Sequence, residues 1–296
     1  MRLFQLPVLL PLLYLRNMAT ACRIRPIGLL VTDFDETISQ QDSISSLAKT
    51  AYKVREARNT TQVSSIPPWS YFEEAYGEDY TKYSAKLPPQ PTQNGTLEQL
   101  YYFLDALKEV ELRSLARVSK GLALSGVTRE ELRRGGSELM LRPHSLEFLK
   151  KYAKHSEREL HVLSVNWSKD WIAGALKSIS EGELSIIAND LEFDKTGTST
   201  GNILPSVVVA GDKLRAFKKL HKPEGTASMY IGDSSTDLEC LLEADYGIVV
   251  GNNTSLRKKL QVYDIELKPL SQAREYHQSK VVYSIEDWSE LMVTIR

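Results

Sequence analysis

The run Ile27-Gly28-Leu29-Leu30-Val31-Thr32 leads directly into Asp33-Phe34-Asp35-Glu36-Thr37-Ile38-Ser39. A short, unbroken apolar run closed by a polar turn predicts a buried strand. Ending such a strand in two carboxylates one residue apart costs free energy, because like charges repel and partial desolvation penalises both. A bound divalent cation would offset that cost. Side chains alternate faces along an extended backbone, but a turn just after the strand can bring both acids to one mouth. Taken alone, the motif is equally well explained by Asp35 or Ser39 capping a following helix.

A second acidic turn lies far downstream, in Ile231-Gly232-Asp233-Ser234-Ser235-Thr236-Asp237-Leu238-Glu239. It follows the apolar segment 228–231 and opens onto the helix-like stretch 238–244. Gly232 permits a tight turn, and Asp233 and Asp237, four residues apart, can face one cavity. Such a Gly-Asp turn is also a common way to cap a helix. Between the two acidic turns, the run 160–166 places the Ser164 hydroxyl at the end of another apolar segment. Lys213, in Gly211-Asp212-Lys213-Leu214, starts a further helix. Singly, Ser164 reads as a strand-end hydroxyl and Lys213 as a solvated lysine.

In this order, the four features resemble the motifs of the haloacid dehalogenase (HAD) superfamily of phosphohydrolases. Asp33 and Asp35 match the first motif, Ser164 the second, Lys213 the third, and Asp233 with Asp237 the fourth, over roughly residues 27–251. The resemblance implies that Asp33 is a nucleophile forming an aspartyl-phosphate, and that Asp35 protonates the leaving group and then activates water. It implies a magnesium ion held by Asp33, the backbone carbonyl of Asp35 and Asp233, with Asp237 supporting that shell. Ser164, Asn166 and Lys213 would bind the phosphoryl oxygens. An acid two residues after the nucleophile is the pattern of superfamily members that hydrolyse small phosphate esters. The dehalogenases and ion-pumping ATPases do not match it.

The rest of the chain predicts an α/β fold, a doubly wound parallel sheet. Strand-like runs at 27–34, 160–165, 184–188, 228–231 and 246–250 alternate with helical patterns such as 171–179 and 213–220. Ligands in such sheets gather at the carboxyl ends of the strands, where all four motifs fall. Residues 40–136 differ: helical patterns at 43–58, 97–118 and 129–139, a linker-like Leu87-Pro88-Pro89-Gln90-Pro91, and no strong strand. An insertion right after the first motif resembles the helical cap of one HAD subclass. The expected division is therefore a prefix at 1–26, a catalytic core at 27–39 and 137–296, and a cap at 40–136. A hairpin-like segment is expected at 191–203.

Two closer relatives compete within the resemblance. Ala188-Asn189-Asp190-Leu191-Glu192-Phe193-Asp194 with Thr200-Gly201 looks like a segment of phosphoserine phosphatases, which carry Ser-Gly-Gly where this chain has Ser164-Val165-Asn166-Trp167. That sequence, with Ser199-Thr200-Gly201 and the fourth motif, more closely resembles the phosphatase half of plant bifunctional thiamine-salvage proteins. The implied substrate is thiamine monophosphate or a related heterocyclic phosphate, with phosphoserine as the alternative. Trp167 and Trp171, with Tyr71, Tyr76 and Tyr101 of the insertion, are candidates to stack on a flat ring, cationic or neutral, although core packing accounts for each singly. A non-catalytic phosphate sensor or scaffold is the other alternative, and it would be free to lose Asp33 or Asp35. This chain keeps both.

A formal net charge of -1 gives no footing for nucleic-acid binding, and the block 113–120 reads as a solvated helix face. Cys22 and Cys240, the only two cysteines, form neither a metal spacing nor a disulfide framework. The partner expected is a small phosphorylated metabolite. Before Asp33, Arg2, Arg16, Arg23 and Arg25 occur without an acidic residue, and the apolar stretch 3–15 is broken by Pro7 and Pro11, too short for a membrane span. The prefix reads as a secretory signal, a mitochondrial presequence, or residues upstream of a start at Met18. Asn166-Trp167-Ser168, a glycosylation acceptor beside the proposed phosphate site, argues against secretion. A cytoplasmic enzyme is expected, with mitochondria second.

Overall fold

The computed structural model describes residues 24–58, 65–180, 182–275 and 279–295. Most of the prefix, with Met18 and Cys22, lies outside the described residues. The apolar run before the first acidic turn is strand β1 (Ile27–Thr32), buried at every position. It lacks a polar-apolar alternation because both of its faces are covered, as in parallel sheets. Strands β2 (Glu159–Leu163) and β6 (Ala227–Gly232) flank it, and β3 (Ser185–Ile187) lies beyond β2. On the other side follow β7 (Tyr246–Val250), β9 (Val281–Ile285) and β8 (Glu266–Pro269), giving a seven-stranded sheet of order β3-β2-β1-β6-β7-β9-β8. Every pairing in it is parallel. The expected hairpin is a separate antiparallel pair, β4 (Asp190–Phe193) with β5 (Ser199–Leu204).

The order reverses at β1: the chain winds outward through β2 and β3, then returns to continue through β6. This switch point opens a crevice at the carboxyl ends of β1, β2 and β6. Alternate residues of the strands feed two cores. Leu30, Val162, Met229 and Ile231 pack on one face, with helices α1 (Ile44–Ala57), α5 (Arg129–Gly136), α6 (Ser145–Ala153), α7 (Lys169–Ala175) and α11 (Ser289–Thr294). Leu29, Val31, Leu163 and Tyr230 pack on the other, with α3 (Leu97–Ala106), α8 (Ala210–Phe217), α9 (Leu238–Glu243) and α10 (Thr254–Val262). The sheet is thus doubly wound, as the sequence predicts.

Helices α2 (Trp69–Ser84) and α4 (Lys108–Lys120) complete the set between β1 and α6. Among the described residues, 40–136 hold helices α1–α5 and no strand. The two ends of this stretch meet at one neck: Ser39 bridges Leu141, with Gln40 N donating to Met140 O (3.0 Å) and Arg142 N to Ile38 O (2.8 Å).

The structure corrects three sequence expectations. The pattern over 97–118 is two helices, because α3 turns Leu100 and Leu104 into one core whereas α4 turns Leu115 and Val118 into the other. Helix α2 has no counterpart among the predicted elements: it buries only Phe72, so it lacks an apolar stripe. Strands β8 and β9 were likewise not predicted. The first is a partly exposed edge strand ending in Pro269, and both are short.

Candidate active site

The turn after β1 is pinned by its own backbone, since Ile38 N and Ser39 N both donate to Phe34 O. Glu36, at φ 56°, carries the reversal. Asp33 is buried at the strand end; its Oδ1 accepts from Phe34 N (2.7 Å) and its Oδ2 lies 2.9 Å from Lys213 Nζ. The same ammonium sits 2.7 Å from Asp237 Oδ1. Lys213, on α8, is therefore not the solvated lysine that its sequence alone suggests; it is fully buried between two acids. Burial by itself would lower its pKa, but Asp237 and Asp33 outweigh that and hold it above the ordinary lysine value.

Asp237 is a hub. Its Oδ1 also accepts from the Tyr230 hydroxyl (2.8 Å), and its Oδ2 from the amides of Asp233 and Ser234 and the Ser234 hydroxyl. With both oxygens so engaged, it shapes the fourth motif and holds Lys213. Asp233 Oδ1 accepts from Thr37 Oγ1 (3.1 Å), which ties the two acidic turns together. Carboxylate oxygens of Asp33, Asp233 and Asp237 all lie within 4.8 Å of one another. Burial first, and the charge of Asp237 second, push Asp33 well above the usual carboxylate range and Asp233 up to about 7. Three buried carboxylates against one ammonium leave excess negative charge, and an all-oxygen donor set suits a hard divalent cation such as magnesium.

Asp35 faces a different environment. Ser43 N donates to its Oδ1 (2.9 Å) and Asn166 Nδ2 to its Oδ2 (2.8 Å). Burial raises its pKa to about 6, against the lowering effect of the Asn166 and Ser43 hydrogen bonds. Ser164 is fully buried at the end of β2; its Oγ accepts from Asn166 N (3.1 Å), and its own proton goes to no acceptor among the described residues. These motifs converge on one mouth, and a model of the haloacid dehalogenase-like hydrolase family matches residues 30–242.

The chain belongs to that family.

Curated relatives cover more of the chain than the family model does. The bifunctional TH2 protein, mitochondrial, of Arabidopsis thaliana is 28% identical over 297 residues, 88% of this chain and 48% of that protein. The chain thus spans about half the length of that relative. A CTO1 family protein of Schizosaccharomyces pombe is 29% identical, over 88% of this chain and 96% of its own length. Among solved structures, a substrate-bound phosphoserine phosphatase superposes with a TM-score of 0.51 at 18% identity, covering 92% of this chain and 100% of that one. Cytosolic 5'-nucleotidase IIIB bound to cytidine gives 0.54 at 14%, covering 91% and 84%. The chain is a haloacid dehalogenase-like hydrolase with the fold of that family's phosphatases. No described helix is long and apolar enough to cross a membrane.

In this hydrolase, two sequence-derived site residues take other places. The Asn166 amide is used within the protein: Nδ2 donates to Asp35 and to Ser43 Oγ (3.1 Å), and Oδ1 accepts from Ser168 N (3.2 Å). Asn166 therefore orients Asp35, and its side chain is not free for phosphate. Trp171, 1% exposed, is a packing residue, its indole N–H held by Ser43 Oγ (3.0 Å). Tyr71 points outward, and Tyr101 packs against the α8–α9 side of the sheet. Trp167 does open onto a cavity. About 400 Å³ in volume, it lies between α1, α2 and α4 of the insertion and the loops after β2 and β6. Trp69, Phe72, Tyr76 and Trp167 line it, and Val165 and Thr236, next in sequence to Ser164 and Asp237, form its floor. Trp69 and Trp167 meet edge to face, 6.1 Å between centroids.

Sequence reasoning did not single out Thr37, Ser43 or Tyr230. The first lies inside the first motif and was available from it. Ser43 and Tyr230 earn their parts only through contacts that the fold creates.

Proposed function

We propose that this hydrolase is a magnesium-dependent phosphomonoesterase acting through an aspartyl-phosphate on Asp33. The carrying observation is the buried Asp33–Lys213–Asp237 arrangement, which orients a nucleophile beside Asp233, with Asp35 set apart at a pKa of about 6. An Asp33 carboxylate oxygen attacks phosphorus, the ester P–O bond breaks, and the leaving oxygen takes the Asp35 proton. The Asp35 carboxylate then removes a proton from water as that water attacks the phosphorus, which frees phosphate and restores Asp33. Lys213 and the Ser164 hydroxyl bind phosphoryl oxygens. Asp33, Asp233 and the Asp35 carbonyl would hold magnesium, which neutralises phosphoryl charge when bound. Asp237 supports that shell.

We further propose that residues 40–136 act as a cap and set the substrate. The aromatic lining of the cavity, with Trp167 adjoining the second motif, favours a flat heterocyclic phosphate. Thiamine monophosphate is our first candidate, in line with the sequence resemblance to plant thiamine-salvage phosphatases. Purified protein assayed with magnesium should give a higher kcat/KM for thiamine monophosphate, a flavin phosphate or a pyrimidine phosphate than for phosphoserine. Trp167→Ala should narrow that gap. A preference for phosphoserine would overturn the heterocycle and leave the phosphatase chemistry standing.

A further inference from the structure

Among the described residues, the cavity beside Trp167 carries charge of one sign only. Those that line it include Asp42, Glu73 and Glu111, and no lysine, arginine or histidine. Each of these acids accepts through one oxygen and leaves the other without a hydrogen bond from any described residue. Glu73 Oε1 accepts from Ser45 Oγ (2.6 Å) and Trp69 Nε1 (2.7 Å), and Asp42 Oδ1 accepts from Ile44 N (2.9 Å) at the start of α1. Glu111, on α4, differs in burial: it is half-buried, whereas Asp42 and Glu73 are exposed. Its Oε1 accepts from the Tyr76 hydroxyl (2.7 Å) across the α2–α4 contact, and its Oε2 takes no hydrogen bond from any described residue. Burial raises its pKa, with the Tyr76 hydrogen bond acting the other way. A half-buried carboxylate with one free oxygen, set among aromatic rings, is stabilised by a cation or amino group brought in by a ligand.

We infer that Glu111, held in place by Tyr76, selects substrates whose leaving group carries a positive charge on a flat ring. This deepens the phosphatase reading above and rests on it: the phosphoryl group lies at Asp33, and the ring end of the alcohol reaches Glu111. The same wall disfavours a leaving group with a second anion. A carboxylate or a further phosphate would meet three acids and no base there.

A matched pair of substrates tests it: thiamine monophosphate, and its neutral isostere in which a thiophene replaces the thiazolium ring. The wild-type protein should prefer the cationic member at least tenfold in kcat/KM. Glu111→Gln should erase most of that preference through KM, with kcat within a few fold, as expected for loss of one charge-assisted contact. Tyr76→Phe, which leaves the carboxylate in place but unanchored, should move the ratio the same way by about threefold. It also serves if Glu111→Gln does not fold.

A second arm is independent of turnover. Thiamine and the neutral isostere alcohol are titrated calorimetrically into Asp33→Asn and into Asp33→Asn/Glu111→Gln. Tighter binding of the cation in the first and equal binding in the second support the role of Glu111, even if no phosphate ester is cleaved. No charge preference in the first variant, or the same preference in both, overturns it. So does an equal loss on both substrates in the kinetic arm. Failure of the phosphatase reading itself would show differently, as wild-type protein inactive on every phosphate ester in magnesium.

Discussion

Asp33 and Asp35 are two positions apart in the chain, yet one is held by an ammonium and the other by two neutral donors. On the proposed mechanism these unequal environments belong to the nucleophile and the proton carrier respectively. Asp33→Asn should lower turnover by several powers of ten, on the scale of losing other catalytic nucleophiles. The sign of the pH dependence follows from Asp35. Its carboxyl is protonated below about 6 and loses the proton as pH rises through that value. Phosphorylation of Asp33 should therefore slow above pH 6 in burst measurements with poor leaving groups. A leaving group that needs no proton, such as 4-nitrophenolate, should show no such loss. The same shift affects folding. The folded chain holds this proton more tightly than the unfolded one, so the contribution of Asp35 to stability falls as pH rises from about 4 to about 6. Asp35→Asn should remove that fall, and its Tm relative to wild type should grow between pH 4 and pH 7. At this scale the sequence exposes what chemistry demands. Asp33, Ser164, Lys213, Asp233 and Asp237 are legible as candidates only as an ordered set at strand ends and a helix start, since each singly has an ordinary structural role. Trp171 is not, because an aromatic side chain looks the same in a pattern whether it meets a ligand or a core. Ser43 is not, because its partners Asn166 and Trp171 lie more than a hundred residues away.

Helices α5 and α7 show how firmly part of the insertion is joined to the core. Arg129 and Arg133 of α5 both pair with the buried Asp170 of α7, at 2.6 and 2.8 Å. Two glycines let the helices approach. A Cβ on Gly136 would lie 2.0 Å from Trp171 O, and one on Gly174 would lie 2.1 Å from Arg133 O, both rigid backbone atoms. Gly136→Ala or Gly174→Ala should each cost about 1–3 kcal/mol, read as a lowered denaturant midpoint with an unchanged slope. An α7 displaced in this way also moves Trp171 and, through Ser43, loosens Asp35, so kcat should fall with stability. Capping explains why α5 could be placed from sequence: Thr128 and Glu131 form a reciprocal capping box at its start. Helix α2 begins after Pro68 with no side-chain cap and buries one residue, so nothing local announces it.

For the molecule as a whole, the doubly wound parallel sheet was legible in outline, since apolar runs alternating with helical patterns admit few other folds, but the point where its strand order reverses was not. The far edge, β9 and β8, was not, because short strands near the end of a chain carry little pattern of their own. One bulk property tests the buried acidic cluster without any substrate. Magnesium that binds only the folded chain should raise Tm with the logarithm of its concentration above its Kd, by a free energy of about 2.7 kcal/mol at a hundred times its Kd. Asp233→Asn should remove most of that rise, and calcium, with its longer and looser coordination, should restore less activity than magnesium. A Tm indifferent to magnesium in the wild-type chain would count against the metal site. The neck at Ser39 and Leu141 has a consequence of another kind. The outgoing and returning segments are bridged there, so a block inserted between them need not redirect β1. It must, however, replace what Ser43 does for Asp35 and what Leu100 and Leu104 do for the sheet. Such a graft succeeds only if it brings its own match for Asp170 and the close approach at Gly174. On the proposed reading, a new block at this neck would change substrate choice and keep the chemistry beneath only where those contacts are rebuilt.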